Sequence, residues 1–212
     1  MEYRKAITPL IHILACAFLL AGCSGGWSPS EKDVIGKGNA VMRVLTIEDR
    51  EDSLFLRTPC KDLTIKQIRS DEYAILAGRM LVTVTSPEQD GVGIAGPQVG
   101  IGRRIVAVQR FDKPGEPFEV YPNIRVTARR GEPEPGPEGC LSVPGRRGTV
   151  ARPEKVRVHA QDRKGKHIEI EGEGLLARCL CHELDHLDGV LYVDKMIEDV
   201  TDKIEEETEA EA

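Results

Sequence analysis

The sequence predicts an α+β fold in which several strands precede one buried helix near the end of the domain. Three observations predict it. Segments of strand character fill the chain from Arg104 to Glu173 and mostly precede the last helix. Apolar residues Ile68, Ile75, Leu76 and Met80 recur at helical spacing. An apolar run, Leu175–Leu187, carries His182 and His186, which lie four apart and so share one helix face.

The 212 residues, with 40% hydrophobic and 30% charged content, fit one soluble globular domain with extensions. The net charge of −6 argues against non-specific nucleic-acid binding. No basic block alternates with aromatic residues, so no specific nucleic-acid binding is expected either.

Residues 1–22 read as a signal-like leader. Arg4 and Lys5 precede a mostly apolar stretch, Ile7 to Ala21, too short to span a bilayer comfortably. It ends Leu20-Ala21-Gly22-Cys23, which resembles the lipobox of bacterial lipoproteins, with Cys23 as the lipidated residue. The rival reading is a mis-assigned start, with translation beginning near Met42. Residues 23–38, rich in Gly and Ser, read as a linker. The domain is expected over 39–197. Residues 198–212 form an acidic tail of eight carboxylates and one lysine, expected to be a solvated helical end or frayed.

Within the domain, Ile65 to about Thr85 is expected as one helix, ended by Ser86-Pro87 through Asp90-Gly91. Arg104–Gln109 reads as a strand, and Phe118–Tyr121 and Ile124–Ala128 as short ones. Val156–Gln161 and Ile168–Glu173 flank the turn-rich Asp162–Gly165 and suggest a hairpin. Leu175–Leu187 closes the series as a buried helix.

That helix carries His182-Glu183-Leu184-Asp185-His186. Both imidazoles can reach one metal ion, and the adjacent glutamate can act on a metal-activated water. Asp185 is a candidate acceptor for the outer N–H of a ligating imidazole. Chance occurrence on a charged helix is the rival account. Glu138-Gly139-Cys140-Leu141-Ser142 lies among prolines and glycines. A thiolate there, with two imidazoles, makes a three-ligand site with an open position; the rival is a buried structural cysteine in a turn. Gly91–Gly100 could pass for a phosphate loop, but no Lys-Ser/Thr follows. Gly93, Ala95 and Gly96 indicate close backbone approach. Gln98 offers an amide donor, although a tight turn with a surface glutamine is the simpler account of that segment alone. Cysteines 60, 140, 179 and 181 leave disulfides and free thiols both open.

Taken in this order, the three segments resemble the motifs of the peptide deformylase family. The resemblance covers about residues 42–197 and includes Leu56-Arg57 and Gly174-Leu175-Leu176-Ala177. It implies a peptide-deformylase-like α+β fold, small antiparallel or mixed sheets packed around a central metal-binding helix, with Cys140, His182 and His186 holding one divalent metal, typically Fe²⁺ with Zn²⁺ or Ni²⁺ as substitutes. It implies Glu183 as general acid/base, and Gln98 and the backbone N–H of Leu141 as oxyanion donors. Gly93 would meet the substrate backbone, and Arg147 would lie near the site. The implied reaction removes the formyl group from N-formylmethionyl nascent chains. Gly96 replaces a common Ala, which is expected to loosen the loop. Cys181 replaces a common Gln and is expected in core or surface, not in ligation. Tyr121-Pro122-Asn123 replaces a commoner Asn-Pro order, which puts that turn's geometry in doubt. The leader points to a membrane-anchored lipoprotein, whereas the reaction points to the cytoplasm. Two other functions fit the leader: an envelope-exported metallopeptidase or amidase, and a relict, lipid-anchored metal-binding protein.

Overall fold

Residues 25–202 are described in the computed structural model; the leader, Cys23 and the tail beyond Asp202 lie outside the described residues. The elements run α1 (Pro29–Gly36), α2 (Arg50–Leu56), α3 (Ile65–Ile68), α4 (Asp71–Val84), β1 (Gly93–Ala95), β2 (Ile105–Gln109), β3 (Phe118–Pro122), β4 (Arg125–Cys140), β5 (Val143–Gln161), β6 (His167–Glu173), α5 (Leu175–Leu187) and β7 (Met196–Asp199). Short 3₁₀ turns cover Gly96–Val99 and Tyr192–Asp194.

Two antiparallel sheets enclose α5. One has the order β1-β2-β3; the other has β4-β5-β6, with β7 also paired to β5. Buried Leu176, Ala177, Leu180, Leu184 and Leu187 of α5 pack with Val106 and Val108 of β2 and Val156 and Val158 of β5. A second core joins Ile35 of α1 and Leu76, Met80 and Val84 of α4 to Ile94, Ile105 and Ala107. The α+β expectation and the central helix hold, and α5 has the expected bounds.

Four local expectations are corrected. The helix expected over 65–85 is two helices. Thr64 caps α3 with a capping box, and Ser70, five residues beyond α3's start, accepts from Tyr73 N–H to start α4, so a second cap breaks one apolar stripe. The expected linker contains α1, whose Ser28 and Glu31 form a reciprocal capping box while Ile35 and Trp27 are buried. The short strands at 124–128 and 156–161 are the ends of strands of 16 and 19 residues. The Pro/Gly-rich stretch between them is therefore a long hairpin, with Pro133, Pro135 and Pro137 on edge strand β4, where a missing N–H faces away from the ladder. The tail also begins in structure: Glu198 pairs with Thr149, and Asp199 with Gly148.

The Tyr121-Pro122-Asn123 turn is well accommodated. Asn123 takes a positive φ of 55°, a conformation asparagine tolerates, and its amide bonds Leu63 N–H and C=O. Gly96 does not loosen its loop. A Cβ there would sit 2.7 Å from Arg103 O and 2.8 Å from Ile101 O, so only glycine fits the packing.

Candidate metal centre and active site

One face of α5 presents Leu175, Arg178, Cys179, His182 and Glu183 to a cavity of about 1050 Å³. These residues are spaced by three and four, which aligns them along the helix. Gly91–Gly93 of the β1 side, Gly139–Leu141 at the β4–β5 turn, and Arg146 and Arg147 of β5 form other walls.

At its inner end Cys140, His182 and His186 bring one ligand atom each to within 4.8 Å of the others. Cys140 Sγ lies 3.2 Å from His186 Nε2. Burial opposes a thiolate at Cys140, but His186 and His182 outweigh it and hold the thiol well below its ordinary range. Sulfur with two nitrogens suits a borderline or soft divalent ion rather than Mg²⁺ or Ca²⁺. The outer nitrogen of His182 is engaged, as is usual for a metal-ligating imidazole: Nδ1 lies 2.9 Å from Glu138 Oε2, whereas the buried Nδ1 of His186 has no partner among the described residues. These donors fit a resident divalent metal.

Asp185, the candidate acceptor for a ligating imidazole, is occupied elsewhere. It receives Arg152 Nη1 at 2.5 Å and Lys195 Nζ at 2.6 Å. Glu138 takes the role instead. Its carboxylate also accepts Arg152 Nε and Nη2, both at 2.8 Å, and Arg178 Nη1 at 3.1 Å. Burial raises its pKa, yet Arg152 and His182 more than compensate and bring it down to about 2. Tyr192 stacks on the His182 ring at 6.0 Å between centroids. Glu138 stood within a recognisable motif, but no sequence signal links it to Arg152, Arg178 or Tyr192.

Glu183 is buried, and its Oε2 has no hydrogen-bond partner among the described residues. Burial pushes its pKa up to about 7, against the pull of His182 and His186. Gly93 faces it so closely that a Cβ would come 2.5 Å from Glu183 Oε1 and 3.0 Å from Cys179 Sγ. Gln98 is buried rather than on the surface. Its Oε1 accepts Ala95 N–H at 2.8 Å, which turns Nε2 toward Ser142 Oγ at 3.3 Å and Cys140 Sγ at 3.6 Å. Backbone bonds from Leu45 to Gln98 O and from Ile47 to Ser142 O tie both segments to one strand-like stretch. Leu141 and Arg147 line the same cavity, the Arg147 guanidinium lying over Gly139. Cys181 is buried in the core, as expected, and the four described cysteines are all free.

An open α+β cavity with a Cys-His-His donor set and an unpaired buried carboxylate defines a metal-dependent hydrolase. Comparison with known proteins agrees. The polypeptide deformylase family model matches residues 41–202. The peptide deformylase of Lachnoclostridium phytofermentans is 48% identical over 128 residues, 59% of this chain and 77% of that protein. Four further deformylases match over 62% to 85% of their own length. A crystal structure of the Synechococcus elongatus peptide deformylase with actinonin is similar, with a TM-score of 0.66 and 36% identity over 76% of this chain and 83% of that one. The Met-Ala-Ser-bound Acinetobacter baumannii enzyme has a TM-score of 0.65 and 33% identity over 74% and 98%. The chain belongs to the polypeptide deformylase family, metal-dependent hydrolases that remove the N-formyl group from nascent peptides. The metallopeptidase and relict-binder readings gain no support from these matches.

Proposed function

We propose that this chain deformylates N-formylmethionyl peptides with Fe²⁺ held by Cys140, His182 and His186, and with Glu183 as the general acid/base. The observation that carries the reading is the convergence of three donor atoms beside a buried, unpaired carboxylate in a substrate-sized cavity. A divalent ion bound there supplies Lewis acidity to water and to the formyl carbonyl. Glu183 accepts the proton of the attacking water and returns it to the leaving amine, a task suited to a carboxylate of elevated pKa. Gln98 Nε2 and the N–H of Leu141 donate to the developing oxyanion, each such donor contributing ~3–4 kcal/mol. Gln98 is preset for this because its carbonyl oxygen is fixed by Ala95 N–H. Gly93 allows the peptide backbone close to Glu183. Arg147 lines the mouth and is assigned to the downstream peptide.

The test is formate release from formyl-Met peptides by anaerobically Fe²⁺-loaded protein. Turnover well above that of Glu183→Ala is expected. Equal rates, or cleavage of unformylated peptides without formyl preference, would overturn the assignment.

A further inference from the structure

The lipobox-like Leu20-Ala21-Gly22-Cys23 is not used by the deformylase chemistry, and the structure places a distinctive surface where the chain leaves that motif. Gly25 and Gly26 are fixed on the domain. Thr64 Oγ1 donates to Gly25 O at 2.5 Å, and Gln67 Nε2 to Gly26 O at 3.3 Å. Trp27 is buried and donates from Nε1 to Ser70 Oγ at 3.0 Å. Only Ser24 separates Cys23 from Gly25, so two Cα–Cα steps, about 7 Å at most, join them. A lipid on Cys23 would therefore be attached close to where the chain meets α3.

That face is basic in a chain of net charge −6. The β5–β6 turn docks on α3: Arg69 donates to Lys164 O at 2.6 Å, and Gly165 abuts Ile65. The docked segments expose Lys66, Arg69, Arg163, Lys164 and Lys166 around Ile65, itself an exposed apolar residue. The surrounding carboxylates are engaged. Glu31 pairs with Arg103, Asp62 with Arg125, and Glu72 with Lys32. Asp162 accepts the backbone N–H groups of Lys164 and Lys166. Asp71 in the first turn of α4 is the remaining acid of these segments. The cavity mouth is formed by other elements, so this face can be covered with the active site open.

We propose that the Lys66–Arg69–Arg163–Lys164–Lys166 surface seats the domain on an anionic lipid bilayer, with Ile65 at the headgroup level. Among the described residues no helix is long and apolar enough to cross a membrane. Exposed cations beside an anchoring chain are attracted to anionic headgroups over about a Debye length, ~8 Å in physiological salt. The single-residue spacer attaches the anchoring position beside α3, the element that carries Lys66 and adjoins Arg69.

The experiment uses the full chain with Cys23→Ser, which removes lipidation, and co-sedimentation with phosphatidylcholine vesicles lacking or containing phosphatidylglycerol. Binding to the anionic vesicles alone, released by high salt, is expected. Each Lys reversed to Glu at 66, 164 or 166 should weaken partitioning about five-fold. Formate release and thermal midpoint should stay unchanged, because these side chains are exposed and distant from the cavity. Failure to bind, equal binding to neutral vesicles, or reversal variants that bind as before would overturn the proposal. Displacement from vesicles by a structured RNA at far lower concentration would reassign the surface to RNA.

Discussion

Two walls of the cavity each carry a buried glutamate, and they treat it in opposite ways. On the β4–β5 side, Glu138 accepts four hydrogen bonds, from Arg152, Arg178 and His182, which fill the roughly four acceptor sites of a carboxylate. On the α5 side, facing β1, Glu183 has an oxygen with no partner and a glycine pressed against the other. Arginine and imidazole hold Glu138 ionised down to about pH 2, whereas burial raises Glu183 to about 7. A cation at the ligand atoms would draw Glu183 down from there. The contrast teaches that burial alone does not set the role of a carboxylate. Saturating hydrogen bonds fix a charge in place, and leaving one oxygen free lets a proton come and go.

The largest expected effect comes from the free carboxylate. Glu183→Gln keeps the shape and removes the proton acceptor. The rate of formate release should fall by ~10²–10⁴ while metal content, measured by atomic absorption, stays at wild-type level. A variant that loses metal in proportion to activity would show that Glu183 is structural, and the contrast between the walls would collapse. Gly93→Ala probes the same wall from the other side. Its Cβ would meet Glu183 Oε1 at 2.5 Å, so the carboxylate must move. A displacement of this size is expected to cost on the order of 10² in kcat/KM, with a smaller loss of metal.

The fixed carboxylate should respond differently. Glu138→Gln puts an amide N–H₂ either against a guanidinium or against His182 Nδ1. In the second case the imidazole proton moves to Nε2, the nitrogen needed for ligation. Metal affinity, measured by chelator competition, should drop ~10–100-fold. Turnover per bound metal should change far less. An unchanged affinity with a large fall in turnover per metal would reverse the roles assigned to the two glutamates.

How much of this could be read from the chain varies with the range of the interaction. The metal helix was legible to its ends, because Leu176, Leu180, Leu184 and Leu187 repeat at helical spacing without a breaker. The three clustered donor residues and Glu183 were legible as residue types in short motifs. The long β4–β5 hairpin was not. Its prolines and glycines carry the local signature of a loop, and only the edge position of β4, a tertiary fact, makes them tolerable in a strand. Helix α1 was hidden by the Gly/Ser residues around it, although Ser28 and Glu31 have capping-box spacing. The partner of His182 is 44 residues away, across the hairpin, while Asp185 lies next to the second histidine. Proximity in sequence favoured the wrong acid, and Arg152, which holds both acids, decides which of them faces the imidazole.

The smallest expected effect tests where the fixed wall ends. Lys195 extends the charge chain outward, through Asp185 to Arg152 and Glu138. Its side chain is 43% exposed, whereas those of Arg152 and Glu138 are each 4% exposed. Solvent screens an exposed pair, so Lys195→Ala should cost no more than about 1 kcal/mol of stability by denaturant titration. Asp185 keeps Arg152 as a partner in that variant, and Arg152 keeps its two bonds to Glu138. Metal affinity should therefore stay within about two-fold of wild type, well short of the loss expected for Glu138→Gln. A loss approaching that of Glu138→Gln would mean that the charge lock works as one cooperative chain reaching the surface. Retention would confine it to Glu138 and the two buried-side guanidiniums, with Asp185 and Lys195 serving only to orient Arg152.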